Sequence, residues 1–131
     1  MSYQSVAALR QYRESSVGTL AAGASPHRLI AMLYEGALER LAIAESGMTF
    51  GNNMNKLRGI DSTMAILEHL LSVLDYNAGG DIARKLASLY EYMMRRLLHA
   101  KLHNDVDAVK DVGRLLRTIK SGWDAITPPG G

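Results

Sequence analysis

The sequence contains no cysteine among its 131 residues. A chain without cysteine forms no disulfide framework, has no thiolate nucleophile and offers no cysteine ligand to a metal. Long apolar runs are also absent, since no stretch approaches the roughly 20 residues that span a bilayer. The first residues, MSYQSVAALRQYR, do not have the apolar centre of a signal peptide. We therefore expect a cytosolic protein that does not insert into a membrane.

An excess of charge of one sign is lacking as well. Fifteen Lys and Arg residues stand against thirteen Asp and Glu residues, which leaves a formal net charge of +2. Basic and acidic side chains alternate along the chain, whereas nucleic-acid binding needs a concentrated basic face with aromatic residues between. We therefore expect no nucleic-acid partner. Apolar residues are plentiful: they make up 47% of the sequence, a fraction typical of a globular protein.

Arrangements of side chains that support catalysis are missing too. The sequence has no Glu-x-x-His pair of the ferritin type, no Ser-His-Asp set and no glycine-rich phosphate loop. His99 and His103 have the spacing of a shared metal site, but we interpret them as solvated histidines near a helix end. His69 is the candidate of a phosphotransfer bundle, although Glu68 and Leu70 are unsuitable neighbours. We predict that the protein is not an enzyme and binds no metal or cofactor.

Two long segments in the first half carry apolar residues at helical spacing. In the first, Ser25 suits the N-cap and Pro26 suits the first helical position. We predict that this helix ends near residues 46–47. An asparagine at 52–53 should cap the second helix, which we expect to run to about Asp75.

Two further helices follow in the second half. The sequence YNAGG at 76–80 should break the chain before a third helix that begins at Asp81. This helix should end near His103, where a tight turn at 104–105 makes the fourth helix antiparallel to it. On the third helix, we consider an ion pair of Arg96 with an inward carboxylate such as Asp75.

The sequence thus predicts an all-α fold, an antiparallel four-helix bundle, as a single domain over residues 1–131. The bundle covers residues 25–126. A short N-terminal segment or helix and its linker occupy residues 1–24 and pack on the bundle, and residues 127–131 form a disordered tail. The predicted core stripes of the four helices comprise Ile30, Tyr34, Ala37, Leu41 and Ala44; Leu57, Ile60, Met64, Leu67, Leu71 and Leu74; Ile82, Leu86, Leu89, Met93, Leu97 and Ala100; and Val109, Val112, Leu115, Leu116, Ile119, Trp123 and Ile126.

The first three helices also carry a second line of apolar residues, whereas the fourth helix is apolar on one face only. A small bundle with surplus apolar surface is typical of a protein that binds a helical or extended peptide. A competing interpretation is that these lines form a homodimer or a regulatory scaffold.

Three stretches of this chain closely match one known family. They are Ala24-Ser25-Pro26 leading into LIAMLYEGAL at 29–38, GGDIARKLASLYEYMMRRLLHAKLHND at 79–105, and Trp123 near the end. On these residues the chain resembles the flagellar secretion chaperone FliS family, in order and over nearly its whole length. The departures are small: Glu35 and Asp81 stand where Asp and Glu are common in the family.

The resemblance implies a function in bacterial flagellum biogenesis. FliS proteins are antiparallel helical bundles that bind the C-terminal segment of flagellin in the cytoplasm. They keep it from polymerising prematurely and help to deliver it to the flagellar type III export apparatus. Further partners that the resemblance suggests are the export gate protein FlhA and an anti-sigma factor.

The resemblance also implies candidate binding residues. Tyr12 matches a family tyrosine that covers a hydrophobic pocket when flagellin is absent, so we expect residues 3–17 to act as a displaceable lid. The alternative is that Tyr12 is a fixed core anchor. From the second apolar lines, the expected flagellin-binding groove consists of Leu29, Met32, Leu33, Gly36, Ile66, Leu70, Val73, Ala83, Ala87, Tyr90 and Met94.

Overall fold

A computed structural model describes residues 25–126, and these residues form four α-helices and no strand. The helices are α1 (Pro26–Phe50), α2 (Asn53–Ser72), α3 (Tyr76–His103) and α4 (Val106–Ala125). Helix α1 packs on α2 and α4, and α3 packs on the same two neighbours. Short turns join consecutive helices, so the predicted all-α, antiparallel four-helix bundle is confirmed. The predicted N-terminal segment with Tyr12 and the predicted tail lie outside the described residues.

Each helix begins at a polar side chain that accepts hydrogen bonds from the first free backbone amides. Ser25 caps α1, and Asn52, the first of the two candidate asparagines, caps α2. Asp75 accepts from the amides of Asn77 and Ala78, at 3.0 Å each. The prediction that Asp75 ends the second helix is therefore wrong, because this carboxylate opens α3 instead.

The end of α1 also differs from the prediction. The helix continues through Gly47 to Phe50, and Gly51 adopts the left-handed conformation at its C-cap, with φ 75°. Gly47 lies inside α1 at a point where the first turn of α2 passes so close that a larger residue would not fit. A Cβ atom on Gly47 would lie 2.5 Å from the backbone nitrogen of Lys56.

Helix α2 ends at Ser72, three residues earlier than predicted. The predicted break before the third helix is present at Gly80, whose φ of 51° and ψ of −124° interrupt the helical backbone. The residues just before it nevertheless form a helical turn, since the Gly79 amide donates to the Asp75 carbonyl at 2.8 Å.

Helices α1 and α2 also approach each other closely at Gly59. A Cβ atom there would lie 2.5 Å from the Arg40 carbonyl oxygen and 2.6 Å from the Ala44 nitrogen. The Thr63 hydroxyl, also buried, donates to the Gly59 carbonyl at 2.7 Å. Glycine and alanine thus allow the two backbones to approach more closely than larger side chains would permit.

The core between the four helices largely follows the predicted stripes. Ile82 is an exception: it was predicted as core but is 71% exposed, while Ala83 is buried beside it. Helix α3 has two adjacent apolar lines, and residues of both are buried: Met93, Leu97 and Ala100 of the predicted line, and Ala83, Ala87 and Tyr90 of the second. Ile126, at the end of α4, is 53% exposed and was also misassigned. The described core cluster consists of Leu33, Tyr34, Ala37, Leu41, Ala44, Ile60, Ile66, Leu67, Leu70, Tyr90, Met93, Leu97, Ala100, Ala108, Val109, Val112 and Leu116.

Candidate functional site

The eleven residues predicted to contact cargo are not equally accessible. Val73 is 47% exposed, and Leu29 and Met94 are partly exposed. The other eight are buried, and four of these belong to the described core cluster: Leu33, Ile66, Leu70 and Tyr90. The remaining buried positions are Met32, Gly36, Ala83 and Ala87.

Tyr90 is held by a buried hydrogen bond across the bundle. Its hydroxyl lies 2.5 Å from the hydroxyl of Tyr34, so the bond connects the diagonally placed helices α3 and α1. Burial raises the pKa of both phenols, and the pKa of Tyr90 is raised further by the proximity of Tyr34. Both hydroxyls therefore stay protonated, and Tyr90 in this arrangement stabilises the bundle.

Trp123 joins the end of α4 to the start of α1. Its indole N–H donates to the His27 carbonyl at 2.9 Å, and the His27 Nε2–H donates to the Trp123 carbonyl at 3.0 Å. The two rings stack with centroids 4.7 Å apart and planes 11° apart. Tyr34 also contacts the indole edge-to-face, at 6.4 Å. This clasp fixes the end of the bundle at which α1 begins, which we call the Ser25 end.

Apolar side chains are exposed at the Ser25 end. Because the helices alternate in direction, α1 and α3 begin there, and α2 and α4 end there. Leu29 lies in the first turns of α1, at the end of the bundle where α2 stops and Val73 forms its C-cap. An exposed apolar cluster on a small bundle is typical of an interaction site. The exposed apolar residues near this end are Val73 (47%), Tyr76 (46%), Ile82 (71%) and Ile126 (53%).

A second set of polar contacts joins α3 to α4. The Nε of Arg96 lies 3.4 Å from Oδ2 of Asp111, and the Tyr92 hydroxyl donates to the same oxygen at 3.0 Å. The suggested pairing of Arg96 with Asp75 is therefore wrong. Asp111 on α4 was missed because helical periodicity does not show which helix packs beside α3.

The candidate histidines His69 and His99 have different surroundings in the described part of the chain. His99 lies 3.2 Å from a carboxylate oxygen of Asp105, a neighbour that the sequence analysis missed. No group of three or more potential metal ligands occurs within residues 25–126. His69 is half-buried, and burial lowers the pKa of its ring. Its Nδ1 is buried and has no hydrogen-bond partner among the described residues.

The described helices were also compared with the requirements of a membrane-spanning segment. Within residues 25–126, none of them combines the length and the apolar composition that a bilayer span needs. The residues described so far form a small helical bundle that exposes apolar side chains at the Ser25 end and also at the opposite end, at Phe50, Met54 and Leu102.

Comparison with known proteins identifies the family. The family model described as flagellar protein FliS matches residues 5–129 of this chain. The chain belongs to the FliS family. The resemblance drawn from the sequence is therefore confirmed, and so is the prediction that the chain is not an enzyme, because FliS proteins are chaperones.

Curated relatives are similar over nearly the whole chain. Flagellar secretion chaperone FliSB of Pseudomonas aeruginosa is 40% identical over 120 residues, which cover 92% of this chain and 95% of that protein. Flagellar secretion chaperone FliS of Vibrio cholerae is 38% identical over 120 residues, which cover 92% of this chain and 88% of that protein. FliS of Salmonella typhimurium is also 38% identical, with coverage of 92% and 90%. A role as a flagellar secretion chaperone thus follows from membership of the family.

Proposed function

We propose that this chain binds the disordered C-terminal segment of flagellin in the cytosol. It thereby prevents premature polymerisation and aids delivery to the flagellar type III secretion apparatus. The observation that carries this proposal is the family match over residues 5–129, together with relatives named flagellar secretion chaperones. An export chaperone needs an export-related partner, and we propose flagellin as that partner. FlhA and an anti-sigma factor are proposed as further partners of the same chaperone.

The surface chemistry of the described bundle supports this function. A segment that buries apolar helical positions in a filament needs substitute apolar contacts before assembly. The Ser25 end offers such contacts at Leu29, Val73 and Ile82. We propose that cargo engages the accessible members of the predicted groove first, and that the buried members contact cargo only where the bundle rearranges.

Seeded polymerisation tests this function. We expect one equivalent of the chain to slow elongation of filament seeds by flagellin monomers at least about tenfold, because a bound terminal segment is unavailable for assembly. Prior addition of excess C-terminal flagellin peptide should restore elongation, which controls for effects on the seeds. Unchanged elongation at about ten equivalents would contradict the proposal. It would favour the competing interpretation that the second apolar lines form a homodimer or a regulatory scaffold.

Tyr12 is proposed as the displaceable lid of the cargo site. Replacing Tyr12 by alanine should leave the affinity for the flagellin peptide unchanged or raise it by a factor of a few, because a lid competes with cargo for the same surface. The unfolding midpoint should change little. Weaker cargo binding together with a lower free energy of unfolding would instead show that Tyr12 is a fixed anchor.

A further inference from the structure

A groove of about 310 Å³ lies on the surface between α1 and α4. Its apolar wall combines side chains from both helices, while most of its other lining residues are charged. None of the eleven predicted cargo positions lines it. The apolar lining residues are Leu38, Leu41, Ala42 and Val109; the others are Glu45, Lys110, Gly113, Arg114 and Arg117. We call this the α1–α4 groove.

The charge of the α1–α4 groove is predominantly positive. Three cations follow one stripe of α4 at helical spacing, against a single carboxylate, Glu45. Lys110 lies 3.8 Å from that carboxylate, and Arg114 lies 3.6 Å from Asp111 on its own helix. Arg117 forms no ion pair within residues 25–126. The groove therefore combines an apolar wall with more positive charge than the neighbouring carboxylate neutralises.

Gly113 lines the groove on the α4 side. A Cβ atom there would meet only the guanidinium of Arg117, at 3.4 Å, and no backbone atom. Glycine inside a helix costs about 1 kcal/mol relative to alanine. Gly113 is buried, so a methyl group added there would contact the Arg117 guanidinium and change the wall of the groove.

We propose that the α1–α4 groove docks an acidic amphipathic segment of a partner protein. Apolar side chains of that segment pack on Leu38 and Ala42, the accessible apolar residues of the groove, and its carboxylates pair with the cations of α4. Charge complementarity selects this occupant over a basic or purely apolar peptide. The docking surface is separate from the proposed cargo site, so a partner can bind here while cargo is held.

Two matched peptides test the proposal with the full chain. Each is a fluorescent amphipathic helix of about 18 residues with leucine at every third or fourth position; one has glutamate and the other lysine at the flanking positions. In fluorescence anisotropy we expect the glutamate peptide to bind at least about tenfold more tightly, and its affinity to fall as salt is raised. Equal binding of the two peptides overturns the proposal.

Variants of the chain locate the binding. The double variant Arg114→Glu with Arg117→Glu should weaken binding of the glutamate peptide at least about tenfold. Lys85→Glu with Arg95→Glu changes two exposed cations of α3 by the same total charge and should have less than about a twofold effect. An equal loss in both double variants would mean general attraction and would overturn the assignment.

Gly113→Ala separates docking from folding. We expect an equal or higher unfolding midpoint, because alanine favours the helix, and weaker peptide binding, because the methyl group enters the groove. Unchanged binding in this variant overturns the proposal. Displacement of the peptide by a single-stranded oligonucleotide, dependent on Arg114 and Arg117, also overturns it, in favour of a nucleic-acid ligand. Weaker flagellin-peptide binding in the groove variants would show that the two surfaces are not separate.

Discussion

Replacing Gly59 by alanine should lower the free energy of unfolding by about 2 kcal/mol, measured by urea denaturation. The added Cβ would lie 2.5 Å from the Arg40 carbonyl and 2.6 Å from the Ala44 nitrogen, so it must push two backbones apart. Overpacking a core typically costs about 1–3 kcal/mol, and backbone atoms yield less than flexible side chains. The better helix propensity of alanine offsets only about 1 kcal/mol of this.

Gly122→Ala is the matched control for that experiment. Gly122 lies within α4, and an added Cβ there would meet nothing within 4 Å. We therefore expect this change to raise the free energy of unfolding by up to about 1 kcal/mol. If both substitutions stabilised the protein equally, the close contact of α1 with α2 at Gly59 would be wrong.

The double variant Leu29→Glu with Val73→Lys should weaken binding of the flagellin C-terminal peptide at least about thirtyfold, measured by titration calorimetry. Both positions are accessible at the Ser25 end, and a charge there must be desolvated when apolar cargo covers it. The signs are chosen for the helix dipoles: an acid near the start of α1 and a base at the end of α2. Folding should therefore be little affected, and the net charge is unchanged.

Its control places the same two charges elsewhere. Ser88→Glu with Ser46→Lys alters exposed polar positions on α3 and α1 that lie away from the Ser25 end, and it should leave affinity within about twofold. Leu70 is unsuitable for this test, although it was also predicted to contact cargo. It is 2% exposed within the core, so a charge there should unfold the bundle. If the Leu29 and Val73 variant bound like the control, the Ser25 end would not be the accessible cargo surface.

The bundle could be predicted from the sequence because its determinants are local. The N-caps at Ser25 and Asn52 were recognised by residue type, and apolar spacing gave the number of helices. The helix ends were less certain, since Gly47 and Gly51 look alike in sequence. Only the approach of α2 explains why the first is helical and the second takes the left-handed cap.

The candidate site could be predicted only in part, because the spacing of apolar residues describes each helix separately and does not show which residues of two helices meet. Tyr90 lies on an apolar line suited to cargo, but its hydroxyl meets that of Tyr34 across the bundle, a pairing that no spacing rule reveals. The α1–α4 groove was missed for a related reason. Helix four looked one-sided, and the cations along it gave no indication that α1 would supply an apolar wall beside them.

The central claim is that this chain binds flagellin. Its most direct test is a calorimetric titration of the unmodified chain with a peptide spanning the C-terminal segment of its own organism's flagellin. We predict saturable binding at about one peptide per chain, with a negative heat-capacity change between two temperatures, since apolar surface is buried as the peptide becomes ordered. An absence of detectable heat at both temperatures would contradict the proposal that this chain is a flagellin chaperone.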